Sequence, residues 1–169
     1  MKVGPIIAIA CAVGVTAGLY FANRTPSEEK LAADRMREAE QEMVEQQSSL
    51  DDKVAQAVEI IQGGEQPPMV AIGLLREVLA EDPQHHEALM WMGEFSVMSG
   101  QYEKAVDRYN EILTYYPTDE VALNKLVGVH LAISQNDEAV TAMQDFLNEN
   151  QNHPKRQELE ELLGRIREQ

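Results

Sequence analysis

The stretch HEALMWMGEFSVMSGQYEKAVDRYNEILTYYPTD, residues 86–119, decides the fold. Leu89 and Met92 lie three residues apart near its start, and Tyr109 and Ile112 do so near its end. That spacing puts each pair on one face of a helix. Gly93 and Ala105 are small, so two helices carrying them can cross closely. Gly100-Gln101-Tyr102 breaks the pattern in the middle, where glycine permits a tight turn. Pro117 cannot continue a helix. The stretch therefore predicts a helix, a turn, a second antiparallel helix and a stop.

The pattern recurs with a fixed period of 34 residues. Pro83 and Pro117 are so spaced, as are Ala71, Ala105 and Ala139. Leu75, Tyr109 and Met143 follow the same period, and so do Val78, Ile112 and Phe146. A period of this length with these residue types is the mark of stacked helix–turn–helix arrays. The sequence resembles the tetratricopeptide repeat (TPR) family over residues 52–153, in units 52–85, 86–119 and 120–153. The outer units depart from the family pattern. Glu59 and Val127 stand where a small residue is usual, a Gly63-Gly64-Glu65-Gln66-Pro67-Pro68 loop interrupts the first unit, and the last proline is late, at Pro154. Residues 155–168 read as a capping helix, with Leu159, Leu162, Leu163 and Ile166 on one stripe; a stack needs such an end to cover its core.

Composition narrows the function. The chain has 169 residues and a net charge of −15. Such acidity opposes binding to a phosphate backbone, so nucleic acid is not an expected partner. One cysteine excludes an internal disulfide and a multi-cysteine metal site. Aromatics are only 5%, so the core must be largely aliphatic.

Residues 1–26 carry only Lys2 and Arg24, which leaves −17 for residues 27–169. Val3 to Ala22 is free of charge and about 30 Å long as a helix, the thickness of a bilayer's hydrocarbon core. Residues 1–24 are therefore expected to form a single transmembrane anchor. The apolar run is long for a cleaved signal peptide, and it continues eleven residues past the lipobox-like Ala8-Ile9-Ala10-Cys11. Ala10, Gly14, Gly18 and Ala22 fall every fourth residue, a smooth ridge suited to helix–helix contact in lipid. Residues 25–51 are expected to be a polar helical linker starting at Ser27. Met36, Met43, Leu50 and Ala57 fall seven apart in and beyond it, the trace of a dimerisation seam that Gln46 and Gln47 interrupt. The fold class is thus all-α: an anchor, a helical linker, and a three-unit repeat domain over 52–169 with its cap.

In a stack of this kind the first helix of each unit lines a concave face. Trp91 lies two residues past Leu89, about 200° round the helix, and is expected to face that groove. Met90, Glu94, Val97 and Met98 are expected to share the region, with Val121, Asn124, Lys125, Gly128 and Leu131 from the next unit. Some relatives grip a free carboxyl terminus with basic and amide groups. The matching positions here are Gln56, Ile60, Trp91, Val121 and Lys125, of which Lys125 alone is suitable.

His85-His86 and His153 are expected in solvated turns, and His130 in packing. No metal, cofactor or catalytic constellation stands out, so no enzyme is expected. The sequence points to a protein-binding adaptor that assembles or stabilises a complex at a membrane. By architecture it is similar to the membrane-anchored TPR proteins of bacterial cytochrome c maturation and of the secretion translocon. That similarity implies the bacterial inner membrane. The basic residues Arg24, Lys30, Arg35 and Arg37 after the span favour a cytoplasmic repeat domain, whereas a Met-Lys start before an apolar run favours export, and the repeats are expected on the periplasmic side. A constitutive subunit of a large membrane complex, or a homo-oligomer (a homodimer at its simplest), are the other readings.

Overall fold

The period of the apolar positions is translated directly into helix ends. The computed structural model describes residues 27–64 and 66–168. Seven α-helices lie among them: α1 (Glu28–Gly63), α2 (Pro68–Glu81), α3 (His86–Met98), α4 (Tyr102–Tyr115), α5 (Glu120–Ala132), α6 (Asn136–Glu149) and α7 (Arg156–Arg167). The starts of α2, α4 and α6 are each 34 residues apart, and so are their ends. α3 and α5 keep the same interval. The capping stripe of α7 is buried at Leu159, Leu163 and Ile166, packed with Phe146 and Leu147.

The residues of the expected anchor, including Ala10, Gly14, Gly18 and Ala22, lie outside the described residues. Among the described residues no helix is long and apolar enough to cross a membrane. The chain divides into two compact units, Met1–Ser48 and Ser49–Gln169. In the first, residues 28–48 are helical, and the Ser27 hydroxyl accepts the Lys30 N–H as an N-cap, at 3.2 Å. The expected seam residues Met36 and Met43 are exposed here. In the second, α1 continues to Gly63.

Turns between the helices of a unit require left-handed backbone. Gly100 has φ +72°, and its N–H reaches the Val97 carbonyl at 3.0 Å. One period on, Ser134 takes the same conformation at φ +61°, with its N–H on the Leu131 carbonyl at 3.1 Å. The first unit moves this device two residues upstream of the matching position, to Gly64 at φ +66°.

The close crossing of α3 and α4 depends on Gly93. A Cβ there would lie 2.7 Å from Cε1 of the Tyr109 ring. Tyr109 is fully buried and cannot swing aside. One period on the pair is Val127 and Met143, both buried. A flexible methionine in place of a rigid ring leaves room for the valine side chain.

Turns between units are tied together by hydrogen bonds. His85 is 5% exposed. Its Nδ1 accepts the Ala88 N–H at 3.3 Å, which assigns the proton to Nε2 and lets it donate to Asp51 Oδ1 at 3.0 Å. This corrects the expectation of a solvated histidine: its acceptor lies 34 residues upstream, on α1. Asp119, at the same place in the period, caps α5 by accepting from Val121 and Ala122 N–H at 2.8 and 3.0 Å. Its other oxygen takes a hydrogen bond from His86. The Tyr116 hydroxyl donates to the Gln84 carbonyl at 2.6 Å, and Asn150 Nδ2 to the Pro117 carbonyl at 2.8 Å. Each later turn thus holds the one before it. His130 is buried, as expected for packing, with Nδ1 2.8 Å from Gln135 Oε1.

Burial pushes the Asp119 carboxyl up, but the hydrogen bonds from His86 and from the Ala122 and Val121 N–H groups outweigh it and hold the group below the ordinary range. A carboxyl lowered in the folded state stabilises above its unfolded value, about pH 4, and that contribution is lost as pH falls through the folded value. Asp119→Asn is therefore expected to lower the midpoint of thermal unfolding at neutral pH. Its deficit should shrink towards zero as unfolding is followed down to about pH 3. Gly93→Ala is expected to cost about 1–3 kcal/mol by overpacking in urea unfolding. Gly128→Ala, where a Cβ meets nothing within 4 Å, should instead stabilise by about 0.5–1 kcal/mol through helix propensity.

Candidate protein-binding groove

The groove is built by α3 and α5, brought side by side by the 34-residue stacking, with α4 behind them. Glu94, Val97, Tyr102, Tyr109, Asn124, Lys125, Gly128, Val129 and Ala132 enclose an open cavity of about 180 Å³. Gly128 is exposed and carries no side chain, so the helix backbone forms part of the floor.

The cavity is apolar with one polar knot. Lys125 Nζ lies 2.5 Å from Glu94 Oε1, a bridge from α5 to α3. The Tyr109 hydroxyl donates to the same oxygen at 3.4 Å. Burial first, and the nearby Glu94 carboxylate second, push the Tyr109 phenol far above its ordinary value. A phenol raised in the folded state removes stability as pH climbs past the ordinary tyrosine range. Lys125, the one residue suited to grip a carboxyl terminus, is already occupied by Glu94.

The residues expected in the groove fall into three groups. Glu94, Val97, Asn124 and Lys125 line the cavity. Met98 and Val121 stand open to solvent, 67% and 56% exposed. Met90, Trp91 and Leu131 are half-buried and pack against core clusters. Trp91, expected to face the groove, is half-buried and packs on the cluster that holds Val54, Ala57, Leu75 and Val78. Ile60 is likewise buried. Tyr102, Val129 and Ala132 were not legible as cavity residues. The aromatic ring of Tyr102, beside the turn at Gly100, was the available signal.

Among the described residues, no group of three or more His, Cys, Asp or Glu could hold a metal ion. Outside the groove, two further hollows repeat at the 34-residue interval between second helices. One is floored by Leu79 and Met92, the other by Leu113 and Leu126.

Comparison with known proteins agrees with this geometry. Residues 70–124 match the family model described as Tetratricopeptide repeat. The match runs from α2 through α4 into α5, across the stacked helices that build the groove. A solved chain titled MamA AMB-1 P212121 has a similar fold, with a TM-score of 0.50 at 20% identity. The similarity covers 70% of this chain and 66% of that one, just under two thirds of its length. No curated protein matches the sequence. The stack of helix pairs positions the cavity because its first helices present one face and its second helices present the other.

The Tyr109 environment generates a measurement. In alkaline titration followed by phenolate absorbance, Tyr109→Phe should leave the amplitude between about pH 9 and about pH 11 unchanged, because Tyr109 does not ionise there. Glu94→Gln should lower the pH at which the Tyr109 phenolate forms while leaving it above that range, since burial, the larger cause, remains.

Proposed function

We propose that this chain is a non-enzymatic adaptor, anchored in a membrane by residues 3–22. It holds a protein partner in the groove between α3 and α5 and helps assemble or stabilise a membrane-associated complex. The observation that carries this reading is that Met98 of α3 and Val121 of α5 stand exposed on the two helices that line the cavity with Glu94, Val97 and Lys125. Large apolar side chains left open beside a concavity are costly in water and favour a partner. Methionine adapts to the shape of what it meets. Stacked helical repeats offer concave surfaces for protein binding.

The anchor reading rests on the charge-free stretch Val3 to Ala22 and on the Ala10-Gly14-Gly18-Ala22 ridge, which would touch a partner's membrane helix. Two contacts on one tether raise effective concentration without either being tight. The proposed location is the bacterial inner membrane, with the repeats on its outer, periplasmic side.

Affinity purification from native membranes tests the reading. The Met98→Asp/Val121→Asp chain should keep its thermal midpoint, because both side chains are exposed, yet lose a soluble partner that the parent retains. Gly14→Leu/Gly18→Leu should lose a membrane partner instead. Retention of every parent partner by both variants would refute the two-contact adaptor.

A further inference from the structure

Residues 28–48 of α1 present apolar side chains that no other described residue covers. Met36 is 75% exposed and Met43 63%, whereas Leu50, one heptad further on, is 3% exposed. A lone helix of this length is marginal in water, and helices of this kind gain most of their stability by burying an apolar stripe.

The stripe has a register. Met36 and Met43 occupy one core position of a heptad, Ala32 and Ala39 the other, and Gln46 follows them. Alanine at alternate layers lets two helix backbones approach closely, and a single polar core residue fixes alignment. Arg35 and Glu40 flank the stripe on opposite edges. Neither makes an ion pair among the described residues; the pair recorded in this segment is Arg37 with Asp34 at 3.7 Å. In a parallel pair in register, the residue before each core methionine faces the residue five further along the other chain. Arg35 of one copy then meets Glu40 of the other, and twofold symmetry supplies this contact twice.

We infer that residues 28–48 pair with the same segment of a second copy of this chain, as a parallel two-stranded coil in register. This pairing is independent of what occupies the groove. It sets two grooves on one assembly, so that a partner with two docking segments would be held by avidity.

Site-directed crosslinking of the full chain decides the matter. Cys11, the chain's single cysteine, is changed to Ser. Met36→Cys, Met43→Cys and Gln41→Cys are then introduced singly and oxidised with copper phenanthroline in the lysate of expressing cells. All three sites are on an exposed helix surface, and circular dichroism checks that helicity is kept. The expected result is homodimer from Met36→Cys and Met43→Cys at several-fold higher yield than from Gln41→Cys, which lies on the outer face. Arg35→Glu should lower the Met36→Cys yield several-fold, and adding Glu40→Arg should restore it. Equal yields at all three sites, no homodimer at any, or no restoration by the charge exchange would overturn the proposal.

Discussion

The contact between the backbone at Gly93 and the ring of Tyr109 is the constraint on which the rest of the structure depends. It sets how near α3 can come to α4, and every other helix takes its place relative to that pair. Because the distance leaves no room for a Cβ, the middle unit has little freedom in its crossing. Leu89, Ala105 and Ile112 then close around the ring as a fully buried core. The following unit solves the same packing problem with a different couple, Val127 against Met143, and so keeps the same spacing with less rigid parts. The groove inherits its width from this arithmetic. Tyr109 fills the interior with its ring and presents its hydroxyl at the cavity, where Glu94 and Lys125 meet it.

Function follows from which faces the stack leaves uncovered. The turns between units are stapled by His85 to Asp51, His86 to Asp119, Tyr116 to Gln84 and Asn150 to Pro117. These bonds consume polar groups that would otherwise be candidates for chemistry. Among the apolar side chains left open are Met98 and Val121, on the two helices that line the cavity. The cavity on these helices is apolar apart from Glu94 and Lys125, and it is there that the proposed protein segment would sit.

Much of the fold was legible because each unit reuses the same slots. Ala71, Ala105 and Ala139 recur where two helices cross, and Pro83 and Pro117 recur where a unit ends, so the period announces itself. The continuation of α1 through residue 51 was not legible. Ser48-Ser49 and Asp51-Asp52 are residue types that start helices, yet here Leu50 and Val54 bury themselves in the first unit and carry the helix through. The site was partly legible. A residue's angle about its own helix can be read from its number, and Glu94, Val97, Asn124 and Lys125 share one cavity. The reach of a neighbouring helix cannot be read that way, and the first unit packs against part of Trp91. His85 escaped for a related reason: its partner is a full period away, and only the stacked structure brings the two together.

Methionine oxidation in the assembled complex tests most directly the claim that the first-helix groove is where a partner sits. Met98 on the groove and Met69 at the start of α2 are almost equally exposed in the isolated chain, at 67% and 64%. Thioether oxidation follows that exposure, so the two should react alike when the chain is alone. In the complex purified from membranes, the account predicts that Met98 becomes several-fold slower to oxidise while Met69 keeps its rate. Met98 and Met69 reacting at one common rate in that complex would contradict it.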